Sequence, residues 1–418
     1  MKELKSEYDH PDFFKRYAQM DRSRRGLSAA GEWHQLRPLF PDLKGKSVLD
    51  LGCGYGWHCA FAKEQGAARI LGIDSSERMI EEARRRNGME GVEYRACGME
   101  HYDYPKSAWD CVISNLALHY VEDLEAVFRN VYRTLKPGGV FLMNIEHPVF
   151  TAGVNQDWAY DENGRPKYWP VDGYFTPGER HTRFLGCDVV KQHHTLTQIL
   201  TGLLKGGFEL EHVQEAEPPR EWLDQPGMAD ELRRPMMLLI RARKAHPRII
   251  LSTERLILRE MTQDDLPDLA EMLQDPDVMY AYEHDFSDED VQNWLDRQRR
   301  RYREDGFGLW AAILKATGEI VGQAGLTIQP HREESVLEVG YLLKKRFWHC
   351  GYAREAARAC RDYAFGALDR DRVYSVIKAD NLPSQRVARA NGMVKVDEFI
   401  ARYYNGDMLH FLYRADRP

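Results

Sequence analysis

The sequence predicts two domains of different architecture. The first is an α/β domain with a doubly wound, mainly parallel sheet, and the second is an α+β domain with a mixed sheet. Three observations lead to this prediction. A chain of 418 residues is too long for one ordinary domain. Apolar strands alternate with amphipathic helices from Ser47 onward. Two separate glycine-centred turns, at Val48–Gly56 and Cys350–Ala356, each follow a predicted strand and precede a predicted helix.

The first domain is predicted to begin with helices over residues 1–45, which carry aromatic side chains such as Tyr17 and Trp33. These aromatic side chains could cap a site, although at helical spacing they also fit a simple core. The predicted strands are Val48–Leu51, Arg69–Ile73, Val92–Arg95, Cys111–Ser114, Val140–Asn144 and Met237–Ala242. The predicted helices are one that ends near Gly66, then Glu77–Arg86, Val121–Leu135 and Leu196–Lys205. This βαβ alternation is typical of a parallel, doubly wound sheet.

Residues from Phe150 to Thr182 break the alternation and are rich in Gly, Pro, Trp and Tyr. Such a segment is typical of a lid or a substrate loop, and it also fits an irregular surface excursion.

A short polar break at Arg243–Pro247 predicts a linker, with domains over residues 1–245 and 246–418. The second domain's strands are predicted to follow one another more closely, which favours an α+β arrangement. They are Leu256–Arg259, Leu309–Leu314, Ile320–Ile328 and Leu337–Leu343. Helices are predicted over Asp264–Leu273 and Asp288–Arg303.

The bulk properties exclude several classes of protein. The formal net charge of −7 disfavours a general partner for nucleic acid or anionic membrane. No apolar stretch approaches the roughly 18 residues that span a bilayer, and the polar N-terminus lacks the core of a signal peptide. The seven cysteines include no Cys-x-x-Cys pair. We therefore expect a cytoplasmic protein with reduced thiols and no metal site.

The first glycine turn has the spacing Gly-x-Gly-x-Gly, formed by Gly52, Gly54 and Gly56. A dinucleotide-binding turn needs one more residue before its last glycine, so a nicotinamide oxidoreductase is disfavoured. Asp50 lies inside the preceding strand, and Asp74 ends the next one. A carboxylate at that second position can accept hydrogen bonds from both hydroxyls of a ribose.

With Asp110–His119 at strand four and Leu135–Gly139 before strand five, this pattern resembles the class I S-adenosylmethionine-dependent methyltransferases. The resemblance covers residues 1–245 and implies a Rossmann-like sheet that binds S-adenosylmethionine. The residues that it implies at the cofactor are Asp50, Gly52, Cys53, Gly54, Gly56, Asp74, Ser75, Met99, Glu100 and Asn115. The family often has an acid where this chain has Gly98, so backbone groups or Glu100 are expected to bind the adenine amino group instead.

Methyl transfer needs an aligned nucleophile and the exclusion of water. His119, Glu146 and His147 follow predicted strands, at the end of the sheet where ligands of such folds bind. His193 and His194 come later and could face the same crevice. We predict catalytic roles for His119, His147 and His193, although a lone histidine also serves as a hydrogen-bonded structural residue.

The second turn belongs to a wider pattern that resembles the GNAT N-acetyltransferases over about residues 249–418. The segments that carry the resemblance are Glu338–Leu343, Arg346–Ala356, Asn381–Ser384 and Asn391–Met393. The opening Leu251–Arg259 resembles the branch related to ribosomal-protein acetyltransferases. This implies acetyl-coenzyme A as the cofactor, with its pyrophosphate on backbone N–H groups at a helix N-terminus. The residues implied to bind it are Leu342, Leu343, Gly351, Tyr352, Ala353, Arg354 and Asn381.

The resemblance also implies catalytic roles in the second domain. Glu338 would be the general base, and Asn381 and Ser384 would lie near the cofactor sulfur. Glu338 could instead be a paired charge on an exposed strand. No tyrosine follows Ser384, where many relatives keep a general acid.

The phosphate loop departs from the family pattern. Trp348 stands where Gln or Arg is usual, and His349 stands where this branch often has Gly. Arg346 and Arg354 could supply positive charge nearby.

The leading hypothesis is a bifunctional enzyme that methylates and acetylates small-molecule amines or hydroxyls. The alternative is an active methyltransferase whose second domain senses acetyl-coenzyme A or only shapes a homodimer. The methyl and acetyl acceptors are left open by the sequence.

Overall fold

The computed structural model describes residues 6–403 and 406–418. The chain divides into two compact units, one ending at His246 and the other beginning at Pro247. Each has its own sheet and its own apolar core. No helix in the described ranges is both long and apolar enough to cross a bilayer.

Unit 1 is built on a seven-stranded sheet in the order β10-β11-β5-β4-β1-β2-β3. Strands β1 to β5 run parallel, while β11 pairs antiparallel with β5 and β10 pairs antiparallel with β11. The strands are β1 Ser47–Leu51, β2 Arg69–Asp74, β3 Val92–Ala96, β4 Trp109–Asn115, β5 Leu135–Glu146, β6 Ala159–Tyr160, β7 Pro166–Tyr168, β8 Gly178–Phe184, β9 Cys187–His193, β10 Glu209–Glu215 and β11 Met237–Arg243. The predicted doubly wound α/β fold is confirmed.

Side chains cap the later helices of unit 1, from α5 to α8, whereas α1 to α4 have no side-chain cap. They are α1 Pro11–Tyr17, α2 Asp21–Arg25, α3 Trp33–Leu36, α4 Trp57–Glu64, α5 Glu77–Asn87, α6 Leu124–Thr134, α7 Pro148–Thr151 and α8 Leu196–Lys205. Asp123 accepts the N–H of Ala126, so α6 begins three residues later than the predicted Val121. Thr195 and Gln198 form a capping box at the predicted start of α8.

Two parts of unit 1 were not predicted from the sequence. Strand β10 alternates exposed and half-buried residues at the edge of the sheet, so it has no buried apolar run. The segment after β5 forms two small hairpins, β6-β7 and β8-β9, separate from the main sheet. Their strands are short or polar, which hides them from a search for apolar strands.

Unit 2 contains an eight-stranded mixed sheet in the order β12-β13-β14-β15-β16-β17-β19-β18. Its strands are β12 Ile249–Ser252, β13 Leu256–Arg259, β14 Leu309–Leu314, β15 Ile320–His331, β16 Glu334–Leu343, β17 Arg372–Lys378, β18 Val394–Tyr403 and β19 Gly406–Asp416. Its helices are α9 Leu266–Leu273, α10 Pro276–Met279, α11 Asp288–Glu304, α12 Tyr352–Gly366 and α13 Leu382–Ala390. The predicted α+β class is confirmed.

The central feature of unit 2 is the parallel pair β16 and β17, which are in register only at Glu338 and Tyr374. Beyond that pair the two strands separate, while β16 keeps a continuous antiparallel register with β15. We call the gap between β16 and β17 the splay. It leaves the outward-facing backbone groups of β16 free of a strand partner.

Candidate functional site

The first candidate site lies where β1 turns into α4. Gly52, Gly54 and Gly56 all have positive φ, at 74°, 53° and 76°, which L-residues rarely adopt. A Cβ on Gly52 would lie 2.3 Å from that of Ala117, and one on Gly56 would lie 2.3 Å from Oη of Tyr94. A Cβ on Gly54 would meet nothing within 4 Å. Two of the glycines are therefore needed for packing, and Gly54 faces open space that a ligand can fill.

Two carboxylates lie beneath this turn. Oδ2 of Asp74 accepts the N–H of Gly54 at 2.9 Å, and Oδ1 accepts that of Ser76 at 2.9 Å. Asp50 is 1% exposed, and its Oδ1 has no hydrogen-bond partner among the described residues. Burial raises the pKa of Asp50 to about 7 and that of Asp74 to about 6. In the described part of the chain neither carboxylate forms an ion pair, which suits a cofactor with a positive amino group or sulfonium and with ribose hydroxyls.

The remaining predicted cofactor residues surround the same turn. Met99 is buried, with its Cε 3.6 Å from where a Cβ of Gly52 would lie. Glu100 is exposed, and its Oε2 would lie 3.5 Å from a Cβ on Gly98, close to where relatives carry an acid. Cys53 is buried within the loop, and Ser75 is exposed after Asp74. These positions fit the predicted S-adenosylmethionine site.

Asn115 lies at the carboxyl end of β4 in a polar chain that the sequence did not reveal. Its Nδ2 donates to Oε1 of Glu32 at 3.3 Å, and its Oδ1 accepts from Nδ2 of Asn144 at 2.8 Å. Glu32 is 2% exposed and pairs with Arg22 at 2.7 Å. The N-terminal helices therefore supply polar groups to the sheet edge.

The segment before α1 closes over the same edge. Asp9 accepts from the hydroxyl of Ser76 at 2.7 Å, and the hydroxyls of Tyr8 and Tyr120 lie 3.0 Å apart. Of the two aromatics that could cap the site, Tyr17 packs against Tyr55 of the glycine turn. Trp33 instead packs against Phe40 and Phe61 in the core.

The three histidines predicted as catalytic lie in different settings. Both ring nitrogens of His193 have protein partners, the Thr151 hydroxyl at 2.6 Å and the Tyr174 carbonyl at 2.8 Å, which favours a structural role. His147 accepts the N–H of Val149 through Nδ1, and its Nε2 lies 3.1 Å from Glu215. Among the described residues, neither His147 nor His193 contacts the glycine turn.

His119 is part of a buried cluster with Glu146 and Lys191. Its Nε2 lies 3.7 Å from Oε1 of Glu146, which accepts from Nζ of Lys191 at 2.6 Å. Burial lowers the pKa of His119 to about 4, so the imidazole is neutral at pH 7. Nδ1 of His119 and Oε2 of Glu146 have no hydrogen-bond partner in the described part of the chain. Lys191 lies in hairpin β8-β9, where no sequence pattern marked it.

The second candidate site lies at the splay. Glu338 accepts the N–H of Val376 at 3.2 Å and the hydroxyl of Thr327 at 3.0 Å. Burial raises the pKa of this carboxyl above its ordinary value. Glu338 is thus hydrogen-bonded at the point where the strands part, rather than paired with a cation on an exposed strand.

The backbone of β16 supplies donors on alternate residues. Lys344 donates its N–H to Val321 of β15, so the N–H of Leu342 also faces β15, whereas those of Leu343 and Tyr341 face the splay. Of the two predicted backbone donors, Leu343 is placed to meet a ligand there and Leu342 is not.

The phenol of Tyr341, which was not predicted from the sequence, donates to the Ser384 carbonyl at 3.0 Å. Asn381 caps α13 by accepting the N–H of Ser384 at 3.1 Å.

The loop before α12 has the shape of an anion-binding helix N-terminus. Gly351 has a φ of 82° and directly precedes Tyr352, Ala353 and Arg354 of the first turn. Its nearest neighbour in space is Nη2 of Arg255, 3.4 Å from where a Cβ would lie. Arg255 pairs with Glu355 at 2.6 Å and was not expected from the sequence.

Trp348 and His349, the unusual residues of this loop, lie in different settings. Trp348 donates its indole N–H to the Leu343 carbonyl at 3.0 Å and packs against the apolar core, and His349 is exposed. Arg346 was expected to supply charge to the loop, but it forms ion pairs with Glu271 and Glu319 instead. The loop therefore fits a pyrophosphate with its backbone donors, as acetyl-coenzyme A requires. No cluster of three or more metal-binding side chains occurs within residues 6–403 and 406–418.

A Rossmann-like sheet with a glycine cradle, joined in one chain to a mixed sheet with two separating strands, indicates a transferase with two candidate cofactor sites. The family described as a methyltransferase domain matches residues 49–143, and the family described as an acetyltransferase (GNAT) domain matches residues 255–394. The chain belongs to the S-adenosylmethionine-dependent methyltransferases through unit 1. Residues 255–394 of unit 2 match the GNAT acetyltransferase domain.

Individual relatives agree with this division. The solved structure of a Listeria monocytogenes protein assigned as an S-adenosylmethionine-dependent methyltransferase is 49% identical, with a TM-score of 0.51; the match covers 53% of this chain and 100% of that one. The uncharacterized protein YkkB of Bacillus subtilis is 38% identical over 34% of this chain and 84% of its own length. An uncharacterized protein of Haemophilus influenzae is 28% identical over 57% of this chain and 97% of its own.

Proposed function

We propose that the chain is a bifunctional enzyme, in which unit 1 transfers methyl groups from S-adenosylmethionine and unit 2 transfers acetyl groups from acetyl-coenzyme A. The proposed acceptors are small molecules with amine or hydroxyl groups. The observation that carries the proposal is common to both units. In each, a glycine with positive φ caps a helix, Gly56 at α4 and Gly351 at α12, and a strand of the same unit carries a carboxylate with a raised pKa, Asp50 in β1 and Glu338 in β16.

In unit 1, S-adenosylmethionine supplies an electrophilic methyl group when bound. The chain itself must align the acceptor, remove its proton and exclude water. Glu146 offers the buried Oε2, which has no partner among the described residues, while Lys191 fixes the other oxygen. We infer that Glu146 takes the acceptor's proton and that neutral His119 orients the acceptor through Nδ1. Tyr8 and Tyr120 cover this edge and limit the access of water.

In unit 2, acetyl-coenzyme A supplies the thioester when bound. Glu338, with its raised pKa, would take the proton of the incoming amine. The backbone N–H of Leu343 would polarise the thioester carbonyl. Tyr341 keeps its proton because burial raises the pKa of its phenol, and it lies beside Ser384, the position implied near the cofactor sulfur. We infer that Tyr341 protonates the leaving thiolate, in place of the tyrosine absent after Ser384.

A double-label assay tests the proposal. The full chain is incubated with methyl-labelled S-adenosylmethionine, acetyl-labelled acetyl-coenzyme A and a mixed panel of amines and alcohols. We expect Asp74→Ala to abolish methyl transfer and spare acetyl transfer, and Glu338→Gln to do the reverse, so that each variant is the other's folding control. Unchanged transfer of both labels in the two variants would show that the site residues are wrong. Transfer of only one label by the unmodified chain would rule out bifunctionality on the panel.

The second candidate function is an acetyl-coenzyme A sensor in unit 2 attached to an active methyltransferase. It is favoured by one observation: both oxygens of Glu338 already accept hydrogen bonds, from Val376 and Thr327. Calorimetric titration with acetyl-coenzyme A separates the two functions. Tight binding without turnover of any amine supports the sensor, and no binding at millimolar ligand supports a structural unit.

A further inference from the structure

A cleft of about 350 Å³ opens within the segment that interrupts the βαβ pattern of unit 1. This is the size range of pockets that hold small organic molecules. Its walls include the rings of Trp158, Tyr168 and Trp169 together with the side chains of Arg233 and Arg234. Tyr168 is 55% exposed, so the cleft has an aromatic rim that solvent reaches.

Arg234 forms the inner wall and is 7% exposed. Its guanidinium lies over three rings, 4.5 Å from the centroid of Trp169, 4.9 Å from that of Phe150 and 5.5 Å from that of Trp158. The terminal nitrogens donate to both oxygens of Glu231, at 2.8 Å and 3.0 Å. The buried Nε–H has no acceptor within the described residues. The inner wall is therefore a cation that is already paired with a carboxylate and stacked on aromatic rings.

The charges in the cleft are balanced. Arg234 is matched by Glu231, and Arg233 is matched by Asp230 at 2.8 Å. Arg233 also donates to the carbonyls of Pro166 and Lys167. An anionic ligand would have to compete with these carboxylates, and a cationic one would meet two guanidinium groups. Indole and phenol faces with no net charge favour a flat, uncharged ring.

The cleft adjoins the acid–base cluster through Phe150. The same ring that Arg234 covers lies 5.6 Å from Nζ of Lys191, which holds Glu146 at the carboxyl end of β5. The indole of Trp169 stacks on this ring at 5.2 Å and donates to the Val149 carbonyl. A single ring, that of Phe150, therefore lies between the Arg234 wall of the cleft and the lysine that holds Glu146.

We propose that this cleft binds the methyl acceptor, and that the acceptor carries a flat, uncharged aromatic ring. The assignment to the acceptor rests on the proposed methyl transfer. The binding of such a ring does not.

Calorimetry of the full chain with three matched probes tests the binding. The probes are 2-naphthamide, its carboxylate analogue 2-naphthoate, and the fully saturated decahydronaphthalene carboxamide. We expect 2-naphthamide to bind at least fivefold more tightly than either of the others. Tyr168→Ala should weaken its binding at least fivefold, and Phe175→Ala should not. Phe175 is a matched control because it is 88% exposed on the same segment and does not line the cleft. Equal binding of the three probes, absence of binding, or indifference to Tyr168→Ala would overturn the proposal.

Methyl transfer to 2-naphthalenemethanol tests the assignment to the acceptor. We expect Tyr168→Ala to raise KM for this alcohol at least fivefold with kcat unchanged. Transfer with an unchanged KM overturns the assignment. If 2-naphthamide binds as described but no acceptor is methylated, the proposed methyl transfer fails and the aromatic binding site remains.

Discussion

Replacing Gly54 with alanine would place a methyl group in the space that the cofactor is expected to occupy. The protein itself tolerates the added atom, because a Cβ at this position meets nothing within 4 Å. The only cost to folding is the left-handed backbone with φ of 53°, about 1 kcal/mol. A bound cofactor, however, would have to move away from the methyl group. Overpacking of this kind costs about 2 kcal/mol, or roughly a thirtyfold loss of affinity.

Gly45 provides the matched control. It also has positive φ, at 71°, and an added Cβ would also meet nothing within 4 Å, but it precedes β1 and lies outside the cradle. Urea unfolding should show the same small loss of stability in Gly54→Ala and Gly45→Ala. Calorimetric titration with S-adenosylmethionine should show weaker binding in Gly54→Ala alone. Wild-type affinity in Gly54→Ala, or an equal loss in Gly45→Ala, would refute the assignment of the open face to the cofactor.

Three further substitutions test the roles of Asp50, His193 and Tyr341. Because the folded-state pKa of Asp50 is about 7, the folded protein holds this proton more tightly than the unfolded chain, so wild type loses stability as the pH rises from about 4 to 7. The Asn side chain of Asp50→Asn does not titrate. The free energy of unfolding of this variant, measured in urea without ligand and compared with that of wild type, should therefore rise by roughly 4 kcal/mol from pH 4 to pH 8. A difference that does not change with pH would contradict the raised pKa of Asp50. His193→Ala should lower the free energy of unfolding by about 2 kcal/mol in the same assay, because it leaves the Thr151 hydroxyl and the Tyr174 carbonyl without a partner. Its kcat for methyl transfer should change less than about threefold. Lost turnover in a variant with an intact fold would instead support His193 as a catalytic base. Tyr341→Phe should lower kcat for acetyl transfer about a hundredfold with KM for acetyl-coenzyme A unchanged, and an unaffected kcat would exclude its phenol as the acid.

Local patterns predicted the framework of both units. The strands β13 and β14 and the helix α8 have the predicted bounds, because apolar runs and a capping box mark them. The glycine spacing also marked the turn between β1 and α4, since Gly52, Gly54 and Gly56 all have the positive φ that glycine adopts readily. These features depend on neighbours in the sequence, so they can be read from the sequence.

The side chains around the reacting centre could not be predicted in the same way. Lys191 meets Glu146 only because the β8-β9 hairpin returns to the end of β5, and Arg255 reaches Gly351 across the start of α12. His193 shows the converse, since its two protein partners are distant in sequence and assign it a structural role. Tertiary contacts of this kind leave no spacing in the sequence.

We expect one chain to bind two different cofactors at two separate glycine turns. Calorimetric titration with S-adenosylmethionine and then acetyl-coenzyme A would measure both events in the full chain, in Gly54→Ala and in Gly351→Asp, which places a negative charge at the start of α12. We expect each chain to bind one molecule of each cofactor. Gly54→Ala should weaken the binding of S-adenosylmethionine only, and Gly351→Asp should weaken that of acetyl-coenzyme A only. Failure of either cofactor to bind the unmodified chain, or loss of both in one variant with its fold intact, would contradict it.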